Sequence, residues 1–210
     1  MYLFLSIIIV LILSCLAFYN FWFLRTPERT IPKGDDLLIS PANGKIIAIL
    51  EVQKDSVLVE KKHRPVLNSM LKGFGKKATM ISIMMTPLHV HYQRAPYDAL
   101  LIEQNYKQGK FLNAVIGAES LDATFQNEYN EMLFLTENGV QFKVIQIAGF
   151  LARRIESFIE PKQAVIKGEH IGVIKLGSQI TVIVDENIEV TAQIGETVID
   201  GESILGKVKQ

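Results

Sequence analysis

Gly172-Val-Ile-Lys-Leu-Gly-Ser-Gln-Ile-Thr-Val-Ile-Val184 is the stretch on which the fold turns. Its two halves, Gly172 to Leu176 and Ile180 to Val184, are short β-branched runs of the kind that make buried strands. Between them lies Leu176-Gly177-Ser178. A Gly-Ser bond that follows such a run can be held under strain, and with a hydroxyl beside its carbonyl it is a candidate for self-cleavage. The bond stands downstream of an apolar N-terminus and of a His-x-His segment, an order that suggests a chain able to generate its own reactive group.

Further runs with strand character are Leu37 to Ser40, Lys45 to Val52, Ser56 to Glu60, Thr79 to Met85 and Val140 to Gln146. Turn signals such as Ala42-Asn43-Gly44-Lys45 and Glu137-Asn138-Gly139 bound them, which favours a β-rich barrel or sandwich over a parallel α/β sheet. The predicted class is therefore mainly β (α+β). The clearest helix prediction is Gly149 to Phe158, where Leu151, Ile155 and Phe158 share one face while Arg153, Arg154 and Glu156 point elsewhere. Val165-Ile166-Lys167-Gly168-Glu169 matches Val198-Ile199-Asp200-Gly201-Glu202, and such strand-turn-strand units recur in barrel-sandwich-hybrid domains of the biotinyl and lipoyl type. Two ordinary hairpin turns flanked alike explain the match equally well. A carrier of that type also needs a lysine at the hairpin tip between the repeated halves, where Asp185-Glu186-Asn187 stands.

With 210 residues, 49% hydrophobic and 21% charged, the chain can bury one sizeable core. Lys plus Arg equals Asp plus Glu at 22 each, so no global field argues for a nucleic-acid partner. Cys15, the only cysteine, lies in the apolar N-terminus and leaves the rest without a disulfide. Tyr2 to Leu24 carries no formal charge and is long enough to cross about 30 Å of hydrocarbon as a transmembrane helix. Phe18, Tyr19, Phe21, Trp22 and Phe23 would sit at one interface. Arg25, Arg29 and Lys33 follow, so the positive-inside bias places the remainder on the cytoplasmic side of the cell membrane. A cleaved signal peptide is the weaker reading, because no basic n-region precedes the apolar run. The predicted organisation is an anchor at 1–24, a linker with two prolines at 25–36 and one folded domain at 37–210.

Lys61-Lys-His-Arg64 with Lys72, Lys76 and Lys77 brackets Leu67, Met70, Leu71 and Phe74. On a tethered domain this reads as a surface that lies on anionic lipid, each basic residue contributing about 1 kcal/mol there. A solvated loop and weak helix is the plain alternative. Thr86-Pro-Leu-His-Val-His-Tyr-Gln-Arg-Ala-Pro96 follows a predicted strand, and in extended backbone His89 and His91 share one face. A cupin-like metal site needs a glutamate a few residues after His-x-His, where Ala95 and Pro96 stand, and a later histidine, for which only His170 is available. An acid/base histidine fits better, with a neutral packed histidine as its alternative.

Taken in order, Phe23-Leu-Arg-Thr-Pro-Glu-Arg29, Ser40-Pro-Ala-Asn-Gly-Lys45, Pro87-Leu-His-Val-His-Tyr-Gln-Arg-Ala-Pro96, Gly109-Lys-Phe111, Asn127-Glu-Tyr-Asn130, Gln146-Ile-Ala-Gly149 with Ala152-Arg-Arg-Ile155, and Leu176-Gly-Ser178 resemble the signatures of the short-form, archaeal-like phosphatidylserine decarboxylase proenzymes. The resemblance runs over nearly the whole chain from Phe23 onward. It implies that Ser178 attacks the carbonyl of Gly177, that the acyl group shifts from nitrogen to oxygen, and that elimination and hydrolysis leave a pyruvoyl group and ammonia. Two chains, 1–177 and 178–210, would result and stay partners. The resemblance also implies that the pyruvoyl group, as covalent cofactor with no metal, takes the amine of phosphatidylserine as a Schiff base and releases carbon dioxide and phosphatidylethanolamine. Its site residues would be Ser178, Gly177, His91 as base and proton donor, and Asn43. Arg94, Arg153 and Arg154 are candidates to grip the phosphate, and a homo-oligomer is compatible with the pattern.

Two positions depart from the family at the processing machinery. Asn43 stands where the family has Asp; an amide can hydrogen-bond an imidazole but cannot stabilise its cation by charge, and in the serine-protease template that exchange costs on the order of 10⁴ in rate. Gln179 replaces the Arg that usually follows the cleavage serine. His89 stands where the family usually has Asp or Asn. These departures keep a second reading open, that of an uncleaved, catalytically inactive family member that binds acidic phospholipid.

Overall fold

Strand-forming residues dominate from Leu37 onward, and a computed structural model pairs them into three antiparallel sheets. It describes residues 2–53, 61–75, 77–150, 154–175 and 178–209. The strand expected at Ser56 to Glu60, Lys76, Leu151, Arg153, Leu176 and Gly177 lie outside the described residues. In chain order the strands are β1 (Leu37–Ile39), β2 (Gly44–Gln53), β3 (Lys77–Met85), β4 (Tyr92–Arg94), β5 (Ala99–Lys107), β6 (Tyr129–Leu135), β7 (Gln141–Ile147), β8 (Arg154–Ser157), β9 (Ala164–Val165), β10 (His170–Lys175), β11 (Ser178–Asp185), β12 (Ile188–Val190), β13 (Thr197–Val198) and β14 (Ile204–Val208). The large sheet runs β13-β2-β3-β11-β7-β6-β5-β9, and the small ones β1-β14-β12 and β4-β10-β8. The fold is mainly β, as the turn-bounded runs predict.

Strand β11 is central to the large sheet. It pairs along its whole length with β3 and over most of it with β7. Alternate residues therefore face opposite sides, and both sides are covered, which is why the run reads as continuously apolar. On the first face Ile180, Val182 and Val184 join Ile83, Val144 and Phe134, together with Leu38, Ile171, Ile174 and Leu205 from the two small sheets. On the second face Ile183, Met80 and Ile145 pack against Leu67 and Met70 of a short helix and Phe125 of another.

Those helices follow the apolar helix α1 (Tyr2–Ala17) in the chain and are α2 (Arg64–Met70) and α3 (Asp122–Gln126). Leu67 and Met70 of α2 are fully buried, so the apolar stripe read as lipid-facing is spent on the core. Burying each such side chain is worth about 1.5–3 kcal/mol, more than a basic residue gains on an anionic surface, and Lys61, Arg64 and Lys72 are left exposed. The buried ammonium of Lys143 pairs with Glu131 and donates to the carbonyls of Met70 and Lys72, which fastens the end of α2 to the sheet.

Helix α1 continues through a wider π-turn at Phe18–Phe23, and together Tyr2–Phe23 is one helix long and apolar enough to cross a membrane. Its residues are exposed, apart from the half-buried Tyr19, until Phe23, which is fully buried. The helix predicted over Gly149 to Phe158 is corrected: Arg154–Ser157 is β8, and Ile155 lies opposite Ile174 of β10. The helical spacing was genuine, but four residues gain more by completing the edge of the β4-β10-β8 sheet than an isolated short helix returns.

Candidate active site

Antiparallel order brings four strand ends to one end of the large sheet: β3 stops at Met85, β11 starts at Ser178, β7 stops at Ile147 and β6 starts at Tyr129. Ser178 is fully buried there, with its Oγ 3.7 Å from Met85 Sδ. Strands β10 and β11 are consecutive in sequence yet belong to different sheets. Ser178 thus begins a central strand directly after the chain has passed from one sheet to the other.

His91 stands beside the strand that leads to Ser178. The Ile174 N–H of β10 donates to the His91 carbonyl at 3.2 Å, and Tyr92 next to it pairs with Val173. The imidazole is buried, and its Nδ1 lies 2.8 Å from the His89 carbonyl. A carbonyl can only accept, so Nδ1 carries the proton and Nε2 presents a lone pair. That buried Nε2 has no hydrogen-bond partner among the described residues. Burial pushes the His91 pKa down to about 4; the hydrogen bond to the His89 carbonyl works against this, and the charges of His89 and Arg25 work with it. The ring is neutral at pH 7 and able to accept a proton.

His89 does not share this environment, contrary to the same-face expectation. Pro87 starts a turn, the His89 N–H donates to the Thr86 carbonyl, and the Thr86 N–H donates to His89 Nδ1 at 2.9 Å. The backbone is therefore not extended here, and the two rings serve different backbone groups.

Asn43 is drawn to another cluster. Its Oδ1 accepts the Asp200 N–H at 2.7 Å and Arg29 Nη2 at 3.4 Å. The fully buried Asp200 carboxylate bridges Arg29 at 2.7 Å and Arg94 at 2.9 Å. Arg94 also donates to the carbonyls of Gly168 and Pro27, so this phosphate candidate is occupied within the protein. Arg94 thereby links the two matching sequence units, whose turns both need a left-handed glycine, Gly168 at φ 88° and Gly201 at φ 77°. Arg154 is exposed and pairs with Glu156. No hydrogen bond joins Asn43 to His91 among the described residues.

Gln179, next to Ser178, is fully buried and held at both ends of its amide: Thr124 Oγ1 donates to its Oε1 at 2.6 Å and its Nε2 donates to the Ala114 carbonyl at 2.9 Å. An uncharged side chain suits this interior position on the second face. A chain of amides crosses the first face toward His91: Gln104 donates to Asn130, Asn130 to Gln146 at 2.9 Å, Gln146 to Gln93 at 2.8 Å, and Gln93 to the His91 carbonyl. Residue-level reading did not single these out as a site. The available signal was a polar residue where alternation calls for an apolar one, Gln146 after Phe142 and Val144, and Asn130 before Met132 and Phe134.

Comparison with known proteins finds similarity over nearly the whole chain. Residues 17–206 match the family model for phosphatidylserine decarboxylase. The chain is 36% identical over 189 residues to a phosphatidylserine decarboxylase proenzyme of Syntrophus aciditrophicus, covering 90% of this chain and 79% of that one. It is 33% identical over 219 residues to the proenzyme of Wolbachia pipientis wMel, covering 97% and 88%. For the proenzyme of Chlorobaculum tepidum the identity is 35% over 201 residues, covering 95% and 83%.

Proposed function

The chain belongs to the phosphatidylserine decarboxylase family, and on that premise we propose that it converts phosphatidylserine to phosphatidylethanolamine with a pyruvoyl group made from its own Ser178. The observation that carries this reading is the buried Ser178 at the head of β11, with the neutral His91 and its unengaged Nε2 beside the strand that leads there. As Ser178 Oγ attacks the Gly177 carbonyl carbon, His91 Nε2 takes the hydroxyl proton. The new C–O bond forms, the C–N bond breaks, and the proton passes to the departing amine. Loss of the Ser178 α-proton would then expel the Gly177 carboxylate, and uptake of one water with release of ammonia would leave the pyruvoyl carbonyl; the residues present fit that group, because Ser178 is fully buried at the head of β11 and shielded from bulk solvent.

Once formed, that carbonyl supplies an electron sink for an amine-bearing substrate, with no added cofactor. His91 Nε2, protonated only in passing, then relays a proton to the substrate carbon after carbon dioxide leaves. The apolar helix keeps this chemistry beside its lipid substrate, and the basic residues after the helix favour the cytoplasmic face.

The test is mass spectrometry of the purified protein, joined to an assay of carbon dioxide release from phosphatidylserine in mixed micelles. Two fragments with a pyruvoyl group at position 178 are expected from the parent, and a single 23.6 kDa chain from Ser178→Ala. One intact parental chain after long incubation would sink the reading. One observation favours the alternative of an uncleaved lipid-binding member: His91 Nδ1 is held by a carbonyl and Asn43 is engaged elsewhere, so no carboxylate among the described residues hydrogen-bonds the imidazole. Binding of the intact chain to anionic vesicles without turnover would support that reading.

A further inference from the structure

Phe23-Leu-Arg-Thr-Pro-Glu-Arg29 takes no part in the chemistry above, yet the Phe23 ring lies on His91 and the Arg25 guanidinium reaches the turn beside it. Phe23 is fully buried at the end of the apolar helix, with its ring centroid 4.0 Å from that of His91. Tyr19 stacks behind it at 5.6 Å. Arg25 donates from Nη1 to the Trp22 carbonyl at 2.6 Å and from Nη2 to the Leu88 carbonyl at 2.8 Å. One guanidinium thus ties the last helical turn to the turn whose next residue, His89, supplies the carbonyl that orients His91. We propose that Phe23 and Arg25 are positioning residues for His91, so that the end of the membrane helix is built into the catalytic machinery. The inference rests on the reading of His91 as the base in self-cleavage.

Local geometry makes the arrangement specific. The π-turn, closed by the Leu24 N–H on the Tyr19 carbonyl at 3.1 Å, rotates Phe23 inward while Phe21 and Trp22 stay exposed. Leu88 is 64% exposed on the same turn, so Arg25 grips a loop that itself faces outward at the foot of the helix. The phenyl ring keeps water from the imidazole and keeps it neutral. A planar fork can reach two carbonyls at once, whereas an ammonium on a flexible stem cannot reproduce that pair of bonds. The charged or titratable groups facing His91 are Arg25 from the segment after the helix and His89 from its own turn. The helix end contributes the Phe23 ring and β10 the Ile174 backbone, neither of which titrates.

The experiment uses the full chain in detergent micelles, in a Ser178→Ala background, with His91 titrated by hydrogen exchange at its ring C2 and read by mass spectrometry. The expected midpoint in that parent is about 4. Phe23→Ala should raise it by at least one unit and speed exchange about tenfold as water enters, while Phe23→Leu, which keeps the site dry, should move it less than half as far. Arg25→Lys keeps the charge but loses the fork, and should still shift the midpoint. Phe21→Leu, at a residue 82% exposed, should leave it where it was. With Ser178 intact, Phe23→Ala and Arg25→Lys should slow the appearance of two fragments at least tenfold at a temperature where both stay folded; losing the buried phenyl is itself strongly destabilising, so it is Arg25→Lys whose unfolding temperature should change by only a few degrees. An unchanged His91 titration in Phe23→Ala and Arg25→Lys overturns the proposal, whether or not the parent cleaves. A parent that never cleaves, while the titration moves as expected, overturns self-cleavage instead and leaves the positioning supported.

Discussion

Replacing Gln146 by Leu removes the middle link of the amide chain that ends on the His91 carbonyl. Gln146, Gln93 and Asn130 are all essentially buried. The substitution strands the Asn130 Nδ2 donor and the Gln93 Oε1 acceptor, which Gln146 now satisfies at 2.9 and 2.8 Å. Each orphaned group costs about 1–3 kcal/mol, and the more apolar leucine returns roughly 1 kcal/mol. A net loss of about 3 kcal/mol is expected, which for a domain of this size lowers the unfolding temperature by roughly 6–12 °C. Gln93 is then free to turn its amide away from His91, and a misplacement of about 1 Å at the imidazole costs on the order of 10²-fold in rate. The assay pairs thermal unfolding in micelles with a time course of fragment formation under denaturing electrophoresis. Gln104→Leu, at the half-buried outer end of the same chain, serves as the comparison and should cost under about 1 kcal/mol. If Gln146→Leu unfolds within 2 °C of the parent and cleaves at the parental rate, the amides neither hold the sheet end nor orient His91, and the reasoning is refuted.

Two further outcomes follow from the site. His91 has a folded pKa of about 4 against an ordinary 6.5, with Arg25 and His89 as the groups acting on it; between those values the unfolded chain binds more protons, so the folded state loses stability as pH falls from about 6.5 to 4. That loss amounts to roughly 3 kcal/mol. Self-cleavage, which needs the neutral ring, should stay level down to about pH 5 and drop through pH 4, and an acid limb near pH 6.5 would contradict the assignment of His91. Asp200→Ala strands Arg29 and Arg94 and should cost about 3–5 kcal/mol; because Asp200 lies on the 178–210 side, urea should separate the two cleaved chains at a distinctly lower concentration. Unaltered chain separation would show that the ladders of β11, β13 and β14 with strands of 1–177 hold them without the Asp200 cluster.

The parts of this architecture that depend on neighbours in sequence were legible. Six expected runs match β1, β2, β3, β7, β10 and β11 within a residue or two, because β-branched residues between turn signals favour extended backbone whatever lies beside them. Strand β6 escaped notice because Asn130 and Glu131 interrupt its pattern, and both are made tolerable only by partners on β7, Gln146 and Lys143. Strand β5 hid for the opposite reason: beyond Leu101 its residues face mostly outward, so no alternation marks it. At the candidate site, motif order singles out His91 and Ser178 and also contains Gln93, Gln146 and Asn130, but that hydrogen bonds join those three amides, and Gln179 to Thr124, is not carried by any motif.

From the order of its residues alone the chain determines an apolar helix long enough for a bilayer, a succession of strands, and a Gly-Ser bond set between two of them. Those are consequences of local length and side-chain branching. Tertiary structure decided which of His89 and His91 is dry, which carbonyl sets its tautomer, that Asn43 answers to Asp200, and that the last ring of the apolar helix lies on the imidazole. The last two are contacts between a side chain and a group remote in sequence, Asn43 with Asp200 and Phe23 with His91. Burial and hydrogen-bond satisfaction are properties of the packed whole, and spacing along one segment does not carry them.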